Sequence, residues 1–185
     1  MPLISITEII NLLIVTAVVG YIFMGILPRT RPLYFHRRFD WNAFKFACLV
    51  SAPGIIIHEL AHKFVAIYYG LQAAFSILPF GLFLSVFLKL INSPFILIAP
   101  GYVGISGDAA ILESTFIAFA GPFTNLVLWL GSSLILNRAS LTKKQAIALY
   151  LTKQINMWLF IFNMIPIPPL DGSKVFYGLF RIIFG

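Results

Sequence analysis

Charged side chains are scarce in this sequence of 185 residues. Lys, Arg, Asp and Glu together make up 10% of it, whereas an ordinary soluble domain has roughly 25%. Hydrophobic residues make up 60% of the chain, and a soluble fold with that composition would expose large apolar patches to water. The composition therefore excludes an ordinary soluble domain and predicts an integral membrane protein with the lipid bilayer as its surroundings.

Cysteine is limited to Cys48, so the chain has no internal disulfide. A buried apolar role suits that residue better than a reactive one. The net charge of +7 could point to nucleic acid. However, the basic residues mostly lie in short segments between apolar runs, as they do beside membrane-spanning helices. We therefore predict no nucleic-acid partner.

Four apolar stretches are long enough to cross a bilayer as helices. They cover residues 5–27, 41–69, 109–136 and 146–165. Within the second stretch, Pro53 predicts a kink or a new helix start. The stretch 173–184 is too short to cross alone and predicts a short C-terminal helix. The expected fold is an all-α polytopic membrane protein with about four transmembrane helices, inserted as a multi-pass protein in the cell membrane.

Residues 71–107 differ in pattern from the four long apolar stretches, because short apolar runs alternate here with proline, glycine and asparagine. The runs 73–78, 82–90 and 95–98 favour a small re-entrant β-hairpin segment between the second and third helices. A bent helix over 81–98 is the alternative, since short apolar runs fit both structures. The glycines at positions 101, 104 and 107 predict a flexible turn.

The second apolar stretch carries His58, Glu59 and His62 in an H-E-x-x-H pattern. Residues four apart lie on one face of an α-helix, so the two imidazoles converge where a divalent metal can bind. Glu59 lies beside that point, as the general base of a zinc hydrolase does. Ionisable groups inside a membrane span are costly and are usually functional. The alternative is a buried polar cluster that holds helices together.

A catalytic zinc ordinarily has three protein ligands, so two histidines are not enough. His36 lies in the basic linker and is expected at the surface, and Cys48 is too far along the helix axis to reach the same metal. Asp171 directly follows a proline-rich run, and Gly172 lets the chain pass closely there. Asp171 is therefore a candidate third ligand, although Asp-Gly-Ser before an apolar run also fits a helix N-cap.

These motifs, in this order within apolar helices, resemble the site-2 protease family of intramembrane zinc metalloproteases. The segments that carry the resemblance are His58-Glu59-x-x-His62, Gly121-Pro122-x-x-Asn125 and Asn163-x-x-Pro166-x-Pro168-x-x-Asp171-Gly172. The likeness covers about residues 53–173. Residues 41–185 are accordingly expected to form the metalloprotease core, and residues 1–40 a first transmembrane helix with a basic linker.

The resemblance implies one Zn²⁺ per chain, bound by His58, His62 and Asp171, with Glu59 activating water. The implied reaction is hydrolysis of a peptide bond within or near the transmembrane helix of a membrane-anchored protein, as in regulated intramembrane proteolysis. A non-hydrolytic metal-binding membrane protein, either a transporter or an inactive protease-like binder, is the alternative. Glu59 argues against an inactive binder, since metal binding alone does not require it.

The resemblance also implies that Asn125 and Asn163 contact the substrate backbone or the developing oxyanion. A substrate helix must unwind before its carbonyl can be attacked, and an exposed edge within residues 71–98 could bind the unwound segment as an added strand. Membrane orientation stays open. Basic residues in 29–38 and 138–144 place both loops in the cytoplasm, whereas the resemblance implies the reverse.

Overall fold

The computed structural model describes residues 3–24, 39–93 and 101–185, and most of them are helical. The elements in chain order are α1 (Ile6–Met24), α2 (Trp41–Tyr68), β1 (Gln72–Ile77), α3 (Pro79–Leu90), β2 (Gly101–Ser106), α4 (Ile111–Arg138), α5 (Lys143–Asn163) and α6 (Asp171–Phe184). The predicted helical class is confirmed, as is the short C-terminal helix. The basic segment 29–38 and the run 95–98 lie outside the described residues.

Three of the described helices, α1, α2 and α4, are long and apolar enough to cross a membrane. The fourth predicted span coincides with α5, which has 21 residues. Three lysines, at 143, 144 and 153, make α5 more polar than the other three helices. Three spans are therefore supported among the described residues, and the fourth stays a prediction.

Local sequence bears on the start of α1 and on the interior of α2. Ser5 and Glu8 form a reciprocal cap at the start of α1, with the Glu8 carboxylate accepting from the Ser5 backbone N–H at 2.8 Å and the Ser5 hydroxyl accepting from Glu8 N–H at 3.2 Å. Such a cap satisfies donors that the first helical turn leaves free. Further along, α2 is helical from end to end with Pro53 inside it, so of the two expected outcomes, a kink or a new helix start, the new start does not occur.

The predicted β segment is present, but its strands differ from the prediction. β1 and β2 pair as a two-stranded sheet, and β1 coincides with the first predicted run. The run 82–90 belongs to α3, which begins at Pro79. Proline suits the first turn of a helix, because the N–H that it lacks would have no partner within the helix there. The predicted turn at 101 and 104 is wrong: Tyr102, Val103 and Ile105 favour a strand and outweigh the two glycines.

The described contacts divide the chain into two compact units. The first comprises Met1–Pro53 and Ser76–Tyr102, and the second comprises Gly54–Phe75 and Val103–Gly185. In the first unit Gly20 on α1 lies against the Cys48 side chain on α2, and the Cys48 thiol donates to the Thr16 carbonyl at 3.6 Å. The predicted division after residue 40 concerns function rather than packing and stays a prediction.

In the second unit α4 packs against both α5 and α6. Gly178 lies on the buried face of α6, and a Cβ there would collide with the hydroxyl of Thr115 on α4. That hydroxyl donates to the Ile111 carbonyl one turn earlier, at 2.7 Å. The absence of a side chain at 178 therefore sets how closely α6 approaches α4.

Gly178→Ala is expected to lower the free energy of unfolding by about 1–3 kcal/mol, the usual cost of an overpacked core. Removing the colliding hydroxyl in the double variant Gly178→Ala/Thr115→Ala should restore much of it. Thermal unfolding in detergent measures both effects. Gly131→Ala on α4 is the control, because a Cβ there meets nothing within 4 Å. Equal stability of Gly178→Ala and the control would contradict this packing.

Candidate metal centre

Two imidazoles converge one helical turn apart on the buried face of α2. His58 and His62 are 6% and 7% exposed, and their Nε2 atoms lie 3.1 Å from each other. The four-residue spacing produces this convergence, as the sequence predicts. Both nitrogens point to the same place, where one cation could accept both of their lone pairs.

The carboxylate of Asp171 reaches the same place from the first residue of α6. Its Oδ2 lies 3.2 Å from His58 Nε2 and 3.3 Å from His62 Nε2. The N-cap of α6 is Leu170 rather than Asp171, so the predicted alternative as a helix cap is not what the structure shows. Among the described residues, His58, His62 and Asp171 form a group that could hold a metal ion.

Close approach of two backbones brings Asp171 to this position. A Cβ on the next residue, Gly172, would lie 2.5 Å from the carbonyl carbon and oxygen of Met164 and 2.6 Å from the carbonyl oxygen of Ile165. Backbone atoms cannot move aside as the end of a flexible side chain can. Glycine at 172 therefore lets the start of α6 lie directly against the end of α5.

The spacing of the three ligand atoms fits zinc. Zinc is usually tetrahedral in proteins, with bonds of about 2.0–2.2 Å to His nitrogen and carboxylate oxygen, so two of its ligand atoms lie roughly 3.3–3.5 Å apart. The three separations here are 3.1, 3.2 and 3.3 Å. Without a cation, two nitrogen lone pairs and a carboxylate at these distances would repel one another.

The opposite ring nitrogens show that both imidazoles present a lone pair to this point. His62 Nδ1 lies 2.7 Å from the carbonyl oxygen of Ile117, and a carbonyl can only accept, so this nitrogen carries the proton. His58 Nδ1 is 2.6 Å from Oδ1 of Asn125 and donates in the same way. A neutral imidazole protonated at Nδ1 has its lone pair on Nε2, which is the form that binds a metal.

Space for an ion comes from Gly121 on α4. A Cβ at this residue would lie 2.6 Å from His58 Nε2 and would collide with His62 Nε2. The sequence predicts only close helix packing for the small residues near position 121. The structure shows that the missing side chain leaves room beside the metal-facing atoms themselves.

Glu59 and the two predicted amides occupy different positions around this group. Glu59 is half-buried on α2 and close enough to interact electrostatically with both histidines and Asp171. Asn125 is fully buried, with its amide NH₂ donating to Gly54 O at 3.0 Å and to Asn156 Oδ1 at 2.9 Å. Asn163 is the half-buried last residue of α5.

Sequence reasoning missed Asn156 as part of this network. Asn156 is fully buried on α5, and its amide NH₂ donates to the Thr152 carbonyl at 2.8 Å. The available signal was an amide in an apolar helix, seven residues before Asn163 and on nearly the same face. The carbonyl of Ile117 carries no sequence signal at all, since every residue has one.

No family model matches the chain, but two curated relatives do, and both bear the name "Putative zinc metalloprotease". MJ0611 of Methanocaldococcus jannaschii is 35% identical over 173 residues, which cover 91% of this chain and 82% of the relative. The second, sll0528 of Synechocystis sp., is 28% identical over 136 residues, which cover 73% of this chain and 31% of the relative.

Gly121→Ala is expected to weaken zinc binding about 5- to 150-fold, because the new methyl group must displace the two imidazoles, at a cost of about 1–3 kcal/mol. Competition with a chromophoric chelator measures the affinity. Gly131→Ala is the matched control, because it lies on the same helix and its new methyl group would meet nothing within 4 Å. Equal zinc affinity of the two variants would contradict the role of Gly121.

Proposed function

The chain belongs to the zinc metalloprotease family of the Methanocaldococcus jannaschii protein, and from that premise we propose that it is an intramembrane protease of the site-2 type. Its reaction would be hydrolysis of a peptide bond within or near the transmembrane helix of a membrane-anchored protein. Zinc is the cofactor that the family implies, and a group able to bind it is present. The proposed ligands are His58, His62 and Asp171, with one ion per chain.

The observation that carries the proposal is the location of the histidines. His58, Glu59 and His62 all lie on α2, which is apolar enough to span a membrane. A protease whose metal ligands and general base are on such a helix acts at membrane depth, where its substrate would be another transmembrane helix. This is why an intramembrane protease is favoured over one that cleaves soluble proteins.

The roles of the residues follow from their chemistry. Bound zinc supplies Lewis-acid chemistry, since it lowers the pKa of water and polarises the scissile carbonyl. Glu59 takes the proton from the attacking water and delivers it to the leaving amine. The amide of Asn163 donates to the developing oxyanion, an interaction that is strong where water is scarce. Direct contact of Asn125 with substrate stays a prediction. Its amide hydrogens already have two acceptors within the protein, so they would have to leave these to donate to a substrate.

The two-stranded sheet is the proposed binding place for the unwound substrate. Within the described part of the chain, β1 and β2 pair only with each other, so each has a second edge whose backbone groups could pair with an extended peptide. We further propose multi-pass insertion in the cell membrane with the metal site nearer the cytoplasm, as the family resemblance implies.

Glu59→Gln is expected to keep about one zinc per chain while cleavage of a transmembrane substrate falls at least 100-fold, the usual scale for loss of a general base. Gln has nearly the same size as Glu but cannot accept the proton. Metal analysis of purified protein and cleavage in liposomes measure the two quantities. If Glu59→Gln kept its zinc and cleaved the substrate as fast as the original protein, the protease proposal would be wrong. A non-hydrolytic metal-binding protein would then be favoured.

Proline substitutions along β1 and β2 test the binding place of the substrate. Proline removes a backbone N–H, so cleavage of a transmembrane substrate should fall severalfold while zinc content stays unchanged. Ser140→Pro, in the exposed segment between α4 and α5, is the control. If no position in either strand affected cleavage, strand addition would be abandoned.

A further inference from the structure

Two buried amides link the carbonyls of α2 and α5 to one of the proposed ligands. Starting from α5, the amide NH₂ of Asn156 donates to Thr152 O at 2.8 Å. Asn156 Oδ1 accepts from the amide NH₂ of Asn125 at 2.9 Å, and that same NH₂ donates to Gly54 O at 3.0 Å. Asn125 Oδ1 then accepts from His58 Nδ1 at 2.6 Å. We call Asn125 and Asn156 the amide pair.

The chemistry of the two ends makes the amide pair directional. Thr152 O and Gly54 O are carbonyl oxygens and can only accept, so each must face an NH₂ group. Asn156 must therefore turn its oxygen towards Asn125, and Asn125 must turn its own oxygen towards His58. A flipped Asn125 amide would place its oxygen against two acceptors at once, Gly54 O and Asn156 Oδ1. It would also offer His58 an NH₂ group.

The orientation of Asn125 determines which nitrogen of His58 carries the proton. An oxygen at Nδ1 requires a proton there and leaves the lone pair on Nε2, which points at His62 Nε2 and Asp171 Oδ2. An NH₂ group at Nδ1 would favour the opposite tautomer, with a proton on Nε2 where the metal should bind. His62 has its own acceptor in Ile117 O, so the amide pair acts on His58 alone.

We infer that Asn156 is a positioning residue for zinc: it fixes the Asn125 amide so that His58 presents the lone pair of Nε2. Asn156 itself makes no contact with His58 and acts through Asn125. This inference rests on the proposed ligand set but not on the proposed substrate, and it is measured by zinc affinity rather than by cleavage.

A substitution at Gly54 offers a second, independent way to disturb the amide pair. A Cβ at this residue would lie 2.6 Å from Oδ1 and 3.1 Å from Nδ2 of Asn156. Gly54→Ala therefore displaces the Asn156 amide without removing any hydrogen-bonding group. Gly54 precedes His58 by one turn on α2, and the absence of a side chain there leaves room for the Asn156 amide.

The test compares three variants of the whole chain in detergent by competition with a zinc chelator. Asn156→Leu has a similar volume and no acceptor, and it should weaken zinc binding about 10–100-fold, the usual effect of losing the support of a ligating histidine. Gly54→Ala should weaken it in the same direction. Asn156→Asp should stay within about threefold, because a carboxylic acid kept neutral by burial can donate to Thr152 O and accept from Asn125.

Cobalt substitution supplies a readout that a loss of stability alone would not change. The visible absorption of bound Co²⁺ reports its ligands, so Asn156→Leu should alter the spectrum while Asn156→Asp should not. Ser132→Ala, a buried polar side chain on α4, is the control and should change neither affinity nor spectrum. If Asn156→Leu fails to fold, Gly54→Ala provides the same comparison.

The outcomes separate this inference from its premise. Weaker zinc binding in His58→Ala together with normal binding in Asn156→Leu and Gly54→Ala would overturn the role of Asn156 alone. Normal zinc binding in His58→Ala would remove the proposed ligand set, and with it the premise. Equal loss in Asn156→Leu and Asn156→Asp would also overturn the inference, because it would show that the acceptor at position 156 is not what matters.

Discussion

The second unit depends on one electrostatic constraint: two nitrogen lone pairs and a carboxylate must face one another at little more than 3 Å. Such an arrangement is unfavourable without a cation, and the surrounding residues resist its rearrangement. Ile117 O keeps the proton of His62 on the far side of its ring, and Asn125 does the same for His58. The folded chain thereby directs three electron pairs to one place.

Satisfied polar groups make this arrangement compatible with an apolar interior. A buried donor or acceptor without a partner costs about 1–3 kcal/mol. Among the described residues, no buried side-chain nitrogen or oxygen lacks a hydrogen-bond partner. Asn125 illustrates the principle, since its oxygen and both of its amide hydrogens are used. His58, Asn125 and Asn156 therefore form one connected network that links α2, α4 and α5.

The sequence predicts the parts of the site that depend on local spacing. A spacing of four residues places His58 and His62 on one helical face, and the proline-rich run before Asp171 marks a break in the helices. The positions of the strands are harder to predict, because residues 79–106 alternate apolar runs with glycine in a way that fits both strands and helices. Asn156 and Gly121 matter through contacts between distant segments, which one sequence does not reveal.

The order of the proposed ligands along the chain has a consequence for biosynthesis. His58 and His62 emerge from the ribosome well before Asp171, by on the order of ten seconds at ordinary rates of translation. During that interval the nascent protein has two imidazoles but lacks the carboxylate that completes the group. A partly synthesised chain therefore lacks the complete group of three ligand atoms until Asp171 has been added.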